Sequence, residues 1–167
     1  MFDLKLIHHW EVTNKQLEEI VEIKSMAWLY DFDSQIDWIN NNFKEDDIHV
    51  LLSLDNWHVA YLNLIGIKIK IDGILHMGYG IGNVCARVRG CGYGSEIISK
   101  INLYLKKKKK IGLLFCKDSL VKFYSSNNWK LVEKEKLELS FNNELVETMI
   151  FNYDHVFKHL EYLGKSF

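Results

Sequence analysis

The sequence predicts an α+β protein built on a mostly antiparallel sheet, and three features of the chain indicate this class. Two helical patterns precede a block of strand-like segments. The dipeptide Asp72-Gly73 separates two long apolar runs, as in a tight type I′ hairpin, where both central residues need positive φ. A glycine-rich segment near residue 90 then connects a strand to a helix.

The first half of the chain is predicted to form one strand, two helices and a three-stranded meander. Thr13, with Gln16 three residues later, gives a capping-box pattern and predicts a helix that runs to about Tyr30. Asp33-Ser34 predicts the start of a second, shorter helix. The predicted strands cover residues 4–12, 48–54, 58–71 and 74–85.

The second half continues with alternating helices and strands. We expect a helix from Ser95 to Lys110, a buried strand from Ile111 to Cys116, and a helix capped by Asp118. Two strands over residues 129–139 and 145–153 and a last amphipathic helix over residues 154–163 complete the pattern. Because no linker or internal repeat interrupts it, we predict a single domain over residues 1–167.

Composition excludes several classes of protein. The 48% hydrophobic and 26% charged content is that of a folded globular domain, and the net charge of -1 gives no reason to expect nucleic-acid binding. Three cysteines without Cys-x-x-Cys spacing argue against a disulfide framework or a structural zinc site. No apolar run approaches the ~20 residues of a membrane helix. We therefore expect a cytoplasmic protein with reduced thiols, no metal and no membrane partner.

The most informative segment is Val84-Cys-Ala-Arg-Val-Arg-Gly-Cys-Gly-Tyr-Gly94, which lies between a predicted strand and a predicted helix. The first amides of a helix have no partners within it and lie at the positive end of its dipole, so they attract anions. Glycines let the backbone approach an oxygen closely, and Arg89 adds a positive charge. This pattern predicts a pyrophosphate site. Its spacing fits neither the dinucleotide-binding Gly-x-Gly-x-x-Gly nor a P-loop.

The same segment resembles motif A of the GCN5-related N-acetyltransferases, usually Val-x-Pro-x-x-Arg-Gly-x-Gly-x-Gly, with Ala86 in the proline place. Phe123-Tyr124, followed at a distance by Asn128-Trp129, is similar to the family's second signature, Phe-Tyr, three residues and Gly-Phe. The predicted order of elements resembles the family's over nearly the whole chain. The resemblance implies a twisted sheet of about seven strands that splays between strands 4 and 5 and is flanked by helices.

One group within this family shares further residues with the chain. Ile111-Gly-Leu-Leu and Trp129 resemble the aminoglycoside 2′-N-acetyltransferases. Those enzymes carry a glutamate, a candidate base, on the strand before the glycine turn. The corresponding segment Gly78–Val84 has no carboxylate.

The resemblance implies an enzyme that transfers an acetyl group from acetyl-CoA directly to a primary amine of a small molecule. An aminoglycoside-like amino sugar, a polyamine or a related metabolite would be the acceptor. Tyr124 matches the family's general acid, which protonates the departing thiolate. The implied cofactor-binding residues are Asn83, Val84, Cys85, Arg89, Gly90, Cys91, Gly92, Tyr93, Gly94 and Ser95.

The junction of the first two helices is the expected acceptor site. Trp28 and Tyr30 lie there beside Asp31 and Asp33, and carboxylates next to aromatic rings suit a cationic amine. The other interpretation is an acidic helix cap beside core aromatics. The general base is left open among His76, Asp31 and Asp33.

Two other functions stay open at this stage. Protein or peptide N-acetylation would need an open groove in place of an enclosed pocket. A non-catalytic acyl-CoA-binding regulatory module is the second alternative, since the strand before the glycine turn lacks a carboxylate. A homodimer is also left open.

Overall fold

The computed structural model describes all residues, Met1–Phe167. The four α-helices are α1 (Asn14–Ser25), α2 (Phe32–Asn42), α3 (Tyr93–Lys108) and α4 (Val121–Ser126). The nine strands are β1 (Phe2–His8), β2 (Ile48–Leu54), β3 (Trp57–Ile71), β4 (Ile74–Ala86), β5 (Ile111–Cys116), β6 (Lys130–Val132), β7 (Leu137–Leu139), β8 (Glu147–Phe151) and β9 (Leu160–Tyr162).

The chain divides into two compact units. The first contains Met1–Ile65 and Asn83–Lys100, and the second contains Gly66–Gly82 and Ile101–Phe167. Strands β3 and β4 and helix α3 contribute residues to both units. None of the helices combines the length and the apolar composition that crossing a bilayer requires.

The first unit contains helices α1 and α2, an antiparallel ladder of β1, β2 and the first part of β3, the end of β4 and the start of α3. The predicted capping box is confirmed, because Thr13 Oγ1 accepts from Gln16 N and Gln16 Oε1 accepts from Thr13 N. Helix α1 ends at Ser25, five residues before the predicted end, and Asp31 caps α2. Ile20, Val21 and Ile23 from α1 pack in the core of this unit.

The second unit contains the only segment in which β4 runs parallel to a neighbour. Residues Gly78–Gly80 pair with Ile111–Leu113, and the ladder ends there although β5 continues to Cys116. β5 and β6 each pair antiparallel with β8, β9 pairs antiparallel with β3, and β7 pairs parallel with β9. The predicted mostly antiparallel α+β fold is thus confirmed, and the short β4–β5 ladder agrees with the predicted splaying between these two strands. The strand number is nine, where about seven were predicted.

The predicted last helix over residues 154–163 is wrong. Leu160–Tyr162 forms β9, which pairs on both sides with β3 and β7. The carboxylate of Asp72 also accepts hydrogen bonds from the amides of Lys158 and His159, both at 2.9 Å. These contacts between distant parts of the chain override a helical pattern that the local sequence carries.

Other local predictions met mixed outcomes. The Asp72-Gly73 hairpin is confirmed, with φ of 48° and 81°. Asp118 does not cap an α-helix: a 3-10 turn covers Asp118–Leu120, and α4 begins at Val121 without a side-chain cap. The single strand predicted over residues 129–139 is interrupted by a 3-10 turn at Lys134–Lys136, which separates β6 from β7.

A close approach between β4 and β5 depends on glycine. A Cβ atom added at Gly78 would lie 2.6 Å from the carbonyl oxygen of Ile111, which is backbone and cannot move alone. At Gly80 a Cβ would overlap the ring of Phe167. Gly66 on β3 has open space around the same position.

We expect Gly78→Ala to lower the free energy of unfolding by about 1–3 kcal/mol, because the strands must separate to accept the methyl group. Gly66→Ala is the matched control. It should be neutral or stabilising by about 0.5 kcal/mol, because alanine loses less backbone entropy in a strand than glycine does. Urea unfolding of the two variants checks this, and equal free energies would contradict the close approach.

Candidate functional site

The glycine-rich turn lies at the N-terminus of α3 in the first unit. Gly90 and Gly92 have φ of 83° and 76°, values that side chains disfavour. A Cβ at either position would meet no atom within 4 Å, so the concave backbone faces open space. The Glu96 amide donates to Gly92 O at 3.0 Å. The amides of Tyr93, Gly94 and Ser95 precede the first complete turn of the helix and need acceptors from outside it.

The two arginines of the turn have different environments. Arg87 Nε donates to His58 O at 3.0 Å, and its guanidinium also pairs with Glu22 at 3.2 Å. Arg89 is exposed and takes no part in the ion pairs of the structure, so its charge is available to an anion. Beside the turn is a cavity of about 380 Å³. Its lining residues are Leu54, Asp55, Trp57, Val59, Arg87, Val88 and Tyr93.

The end of β4 leads into this turn through an interrupted strand. Asn83 has φ of 52°, in the left-handed region, so the regular pleat of β4 is broken at this residue. Its side-chain amide donates to Asn63 Oδ1 at 2.7 Å and holds the conformation. Val84 is half-buried and Cys85 is buried. Burial raises the pKa of the Cys85 thiol to about 12, so this sulfur is a neutral packing group.

A second cavity, of about 420 Å³, lies in the first unit at the junction of α1 and α2. We call it the junction pocket. Its lining residues are Lys24, Trp28, Tyr30, Ser34, Gln35, Trp38 and Asn83. The structure therefore brings together three residues named from the sequence, Trp28, Tyr30 and Asn83, and adds four that sequence reasoning missed.

The two carboxylates expected in the acceptor site are not part of the junction pocket. Asp31 accepts from the Ser34 amide at 2.9 Å and from Ser34 Oγ at 2.6 Å, so it serves as the cap of α2. These hydrogen bonds lower the pKa of Asp31. Asp33 is exposed in the first turn of α2. The charged side chain that does line the pocket is Lys24, which is basic.

A signal for Lys24 exists in the sequence. Leu17, Ile20 and Val21 mark the apolar face of α1, and position 24 continues that face at helical spacing. A lysine on an apolar face is either a chain that reaches out to water or a buried functional group. The exposed fraction of Lys24 is 4%, so its side chain does not extend into bulk water.

Tyr124 lies on α4 in the second unit and is 5% exposed. Its ring contacts Phe123 and Trp129 edge-on, with centroids 4.9 Å and 6.4 Å away. Trp129 is fixed in turn, since its indole N–H donates to Asn102 Oδ1 at 3.0 Å. The short helix thus holds the tyrosine against a rigid aromatic wall.

The expected base His76 lies in the second unit, on β4. Its Nε2 atom is buried without a hydrogen-bond partner, and its ring packs edge-on against Tyr153 at 5.6 Å. The three expected bases therefore separate into two exposed helix-start carboxylates in one unit and one strand histidine in the other.

Comparisons with known proteins were informative only at the level of structure. No protein-family model matches the sequence, and no curated protein matches it. Among solved structures, Escherichia coli ElaA is similar with a TM-score of 0.60 at 19% identity, covering 90% of this chain and 99% of that protein. An acyl-CoA N-acyltransferase from Pseudomonas aeruginosa gives a TM-score of 0.62 at 16% identity, with coverage of 90% and 99%.

A further similar structure contains CoA. The GNAT family N-acetyltransferase YhbS from Escherichia coli, solved in complex with CoA, has a TM-score of 0.65 at 11% identity and covers 97% of this chain and 89% of that protein. Sequence identities of 11–19% establish a shared fold and nothing more specific. The chain has the fold of the GCN5-related N-acetyltransferases.

Proposed function

We propose that this chain is an acetyl-CoA-dependent N-acetyltransferase that acts on a primary amine of a small molecule. The observation that carries the proposal is the open glycine turn at the start of α3. Positive φ at Gly90 and Gly92, free space around them and the exposed Arg89 suit an anion such as a pyrophosphate. The bound CoA of the similar YhbS structure supports the same reading.

The residues of this chain fit that donor. The amides of Tyr93, Gly94 and Ser95 and the Arg89 guanidinium would hold the pyrophosphate. The backbone of Asn83, Val84 and Cys85 would pair with the pantetheine arm. When bound, acetyl-CoA supplies an activated thioester carbonyl.

Tyr124 is proposed as the general acid, the group that gives its hydroxyl proton to the departing sulfur. Its burial on α4 supports the role, because a fixed phenol loses little entropy when it is aligned. The acceptor nitrogen must lose a proton to a base, which we leave unassigned.

The junction pocket narrows the acceptor. Its one charged side chain, Lys24, is basic, and no acidic side chain lines it. A polycation such as a polyamine or an amino sugar would be repelled there, so a small amine without additional positive charges is the better acceptor. The pocket volume of about 420 Å³ is that of a small-molecule site.

Arg89→Ala should weaken CoA binding about tenfold, because one charge-assisted contact to phosphate is lost. Lys107→Ala is the charge-matched control, since it removes an exposed positive charge from the other end of α3. Calorimetric titration with CoA measures both. Equal losses would mean that only bulk charge matters, and the assignment of the glycine turn as the pyrophosphate site would be withdrawn.

Tyr124→Phe should lower kcat about 10²–10⁴-fold while CoA affinity and the free energy of unfolding stay close to wild type. The control is Tyr104→Phe, which removes another phenol hydroxyl from the second unit and should leave kcat unchanged. Release of free thiol from acetyl-CoA with a panel of amines gives the rate. Unchanged kcat in Tyr124→Phe sinks the acid assignment, and tight CoA binding without turnover on any amine favours a non-catalytic binder.

A further inference from the structure

The junction pocket contains a buried cation that has no carboxylate partner. Lys24 is 4% exposed, and its ammonium lies 4.5 Å from the centre of the Trp38 ring. It forms none of the salt bridges of the structure, and no Asp or Glu lines the pocket. A buried charge is costly unless an opposite charge or hydrogen bonds compensate it, and a cation–π contact compensates only part of that cost.

The groups that face Lys24 from neighbouring strands are neutral around pH 7. Burial, with the charges of His9 and Lys24, lowers the pKa of His49 on β2 to about 3. Burial raises the pKa of Cys85 on β4 to about 12, and it also raises that of Tyr61 on β3. The two ring nitrogens of His49 form hydrogen bonds with His9, at 2.9 Å, and with the Tyr61 hydroxyl, at 2.8 Å. None of these neighbouring groups supplies a negative charge to Lys24, and Lys24 is the one charged side chain among the residues that line the pocket.

A buried polar atom of Gln35, another residue that lines the pocket, also lacks a partner. Both amide hydrogens of Gln35 are used, by Ser25 Oγ at 2.9 Å and by the carbonyl oxygen of Tyr30 at 3.2 Å. Its Oε1 atom is buried and accepts no hydrogen bond. A buried acceptor without a donor is destabilising, so a ligand that supplies an N–H or O–H would be favoured.

We propose that the junction pocket receives a small amino carboxylate, whose carboxylate pairs with the Lys24 ammonium and whose N–H group donates to Gln35 Oε1. The proposal rests on the proposed function, because the amine of this ligand is then the acetyl acceptor. One cation matches the single charge of a carboxylate and not the double charge of a phosphate ester. The rings of Trp28 and Trp38 provide walls for an apolar body.

Binding can be tested without catalysis. The probes are 3-phenylpropionate and its uncharged analogue 3-phenylpropanamide, titrated by calorimetry into the CoA-loaded protein. Wild type should bind the carboxylate about tenfold more tightly than the amide, because the ion pair is desolvated. Lys24→Met should remove that preference, Lys24→Arg should retain it, and Lys15→Met, an exposed lysine on the same helix, should leave it unchanged.

The pH dependence gives an independent readout. Burial lowers the pKa of Lys24 to about 8, with a small opposing effect of Cys85. Affinity for 3-phenylpropionate should therefore be steady below pH 8 and fall as pH rises above it, because the ammonium loses its proton. The probe's own charge is constant across about pH 7–9.5. Lys24→Arg should abolish the fall, since a guanidinium stays protonated.

Turnover distinguishes this proposal from a role of Lys24 as the general base. With acetyl-CoA, phenylalanine should have a lower KM than phenethylamine in wild type and in Lys24→Arg, but not in Lys24→Met. If Lys24→Arg still prefers the carboxylate probe but loses kcat on both amines, Lys24 has a base role in addition to the pairing role. If Lys24→Met keeps the preference for the carboxylate, the pairing role is overturned.

Two outcomes separate this proposal from the proposed function. Preference for the carboxylate that depends on Lys24, with no thiol release from any amine, supports the anion site and overturns catalysis. Turnover of phenethylamine and phenylalanine with equal KM overturns the anion site and supports catalysis. Lys24→Met should unfold at equal or higher urea concentration than wild type, because an unpaired buried charge has been replaced by an apolar chain of similar length.

Discussion

The backbone of β4 is the constraint on which the architecture depends. At Gly78 it lies so close to the Ile111 carbonyl that no side chain fits, and this contact fixes the parallel register with β5. Five residues later the same strand takes a left-handed conformation at Asn83. Irregularities of this kind are over-represented at sheet edges and next to active sites. The part of β4 in the second unit is thus closely packed against β5. The part in the first unit is irregular and leads into the glycine turn.

The first unit contains two candidate sites that offer positive charge in different ways. The glycine turn attracts anions with backbone dipoles and an exposed guanidinium, so its selectivity is for charge and shape at the surface. The junction pocket relies on a single ammonium among neutral groups, where a low local dielectric strengthens every interaction. Lys24 is the one charged side chain among the residues that line this cavity. Under the proposal made above, one ion pair and the aromatic walls around it would select the acceptor.

Features encoded by a few neighbouring residues were predictable from the sequence, and features that need distant partners were not. The Thr13–Gln16 capping box and the Asp72-Gly73 hairpin follow from local backbone chemistry. The C-terminal segment reads as a helix, yet β3 and β7 recruit Leu160–Tyr162 as a strand. The sequence predicts Asp31 as a ligand for an amine, but in the structure the Asp31 carboxylate accepts hydrogen bonds from the amide and the hydroxyl of Ser34. Lys24 was visible as a lysine on an apolar helix face, but its burial depends on packing.

The three cysteines differ in exposure, and the exposed one, Cys91, lies in the glycine turn. Burial raises the pKa of Cys85 to about 12 and that of Cys116 to about 11, so both thiols stay protonated and shielded. Cys91 is exposed between the two left-handed glycines of the turn. A thiol-reactive fluorophore would therefore attach at one native position without any engineered cysteine. The label would lie within the glycine turn itself. A change in its fluorescence when CoA is added would report whether the turn is occupied.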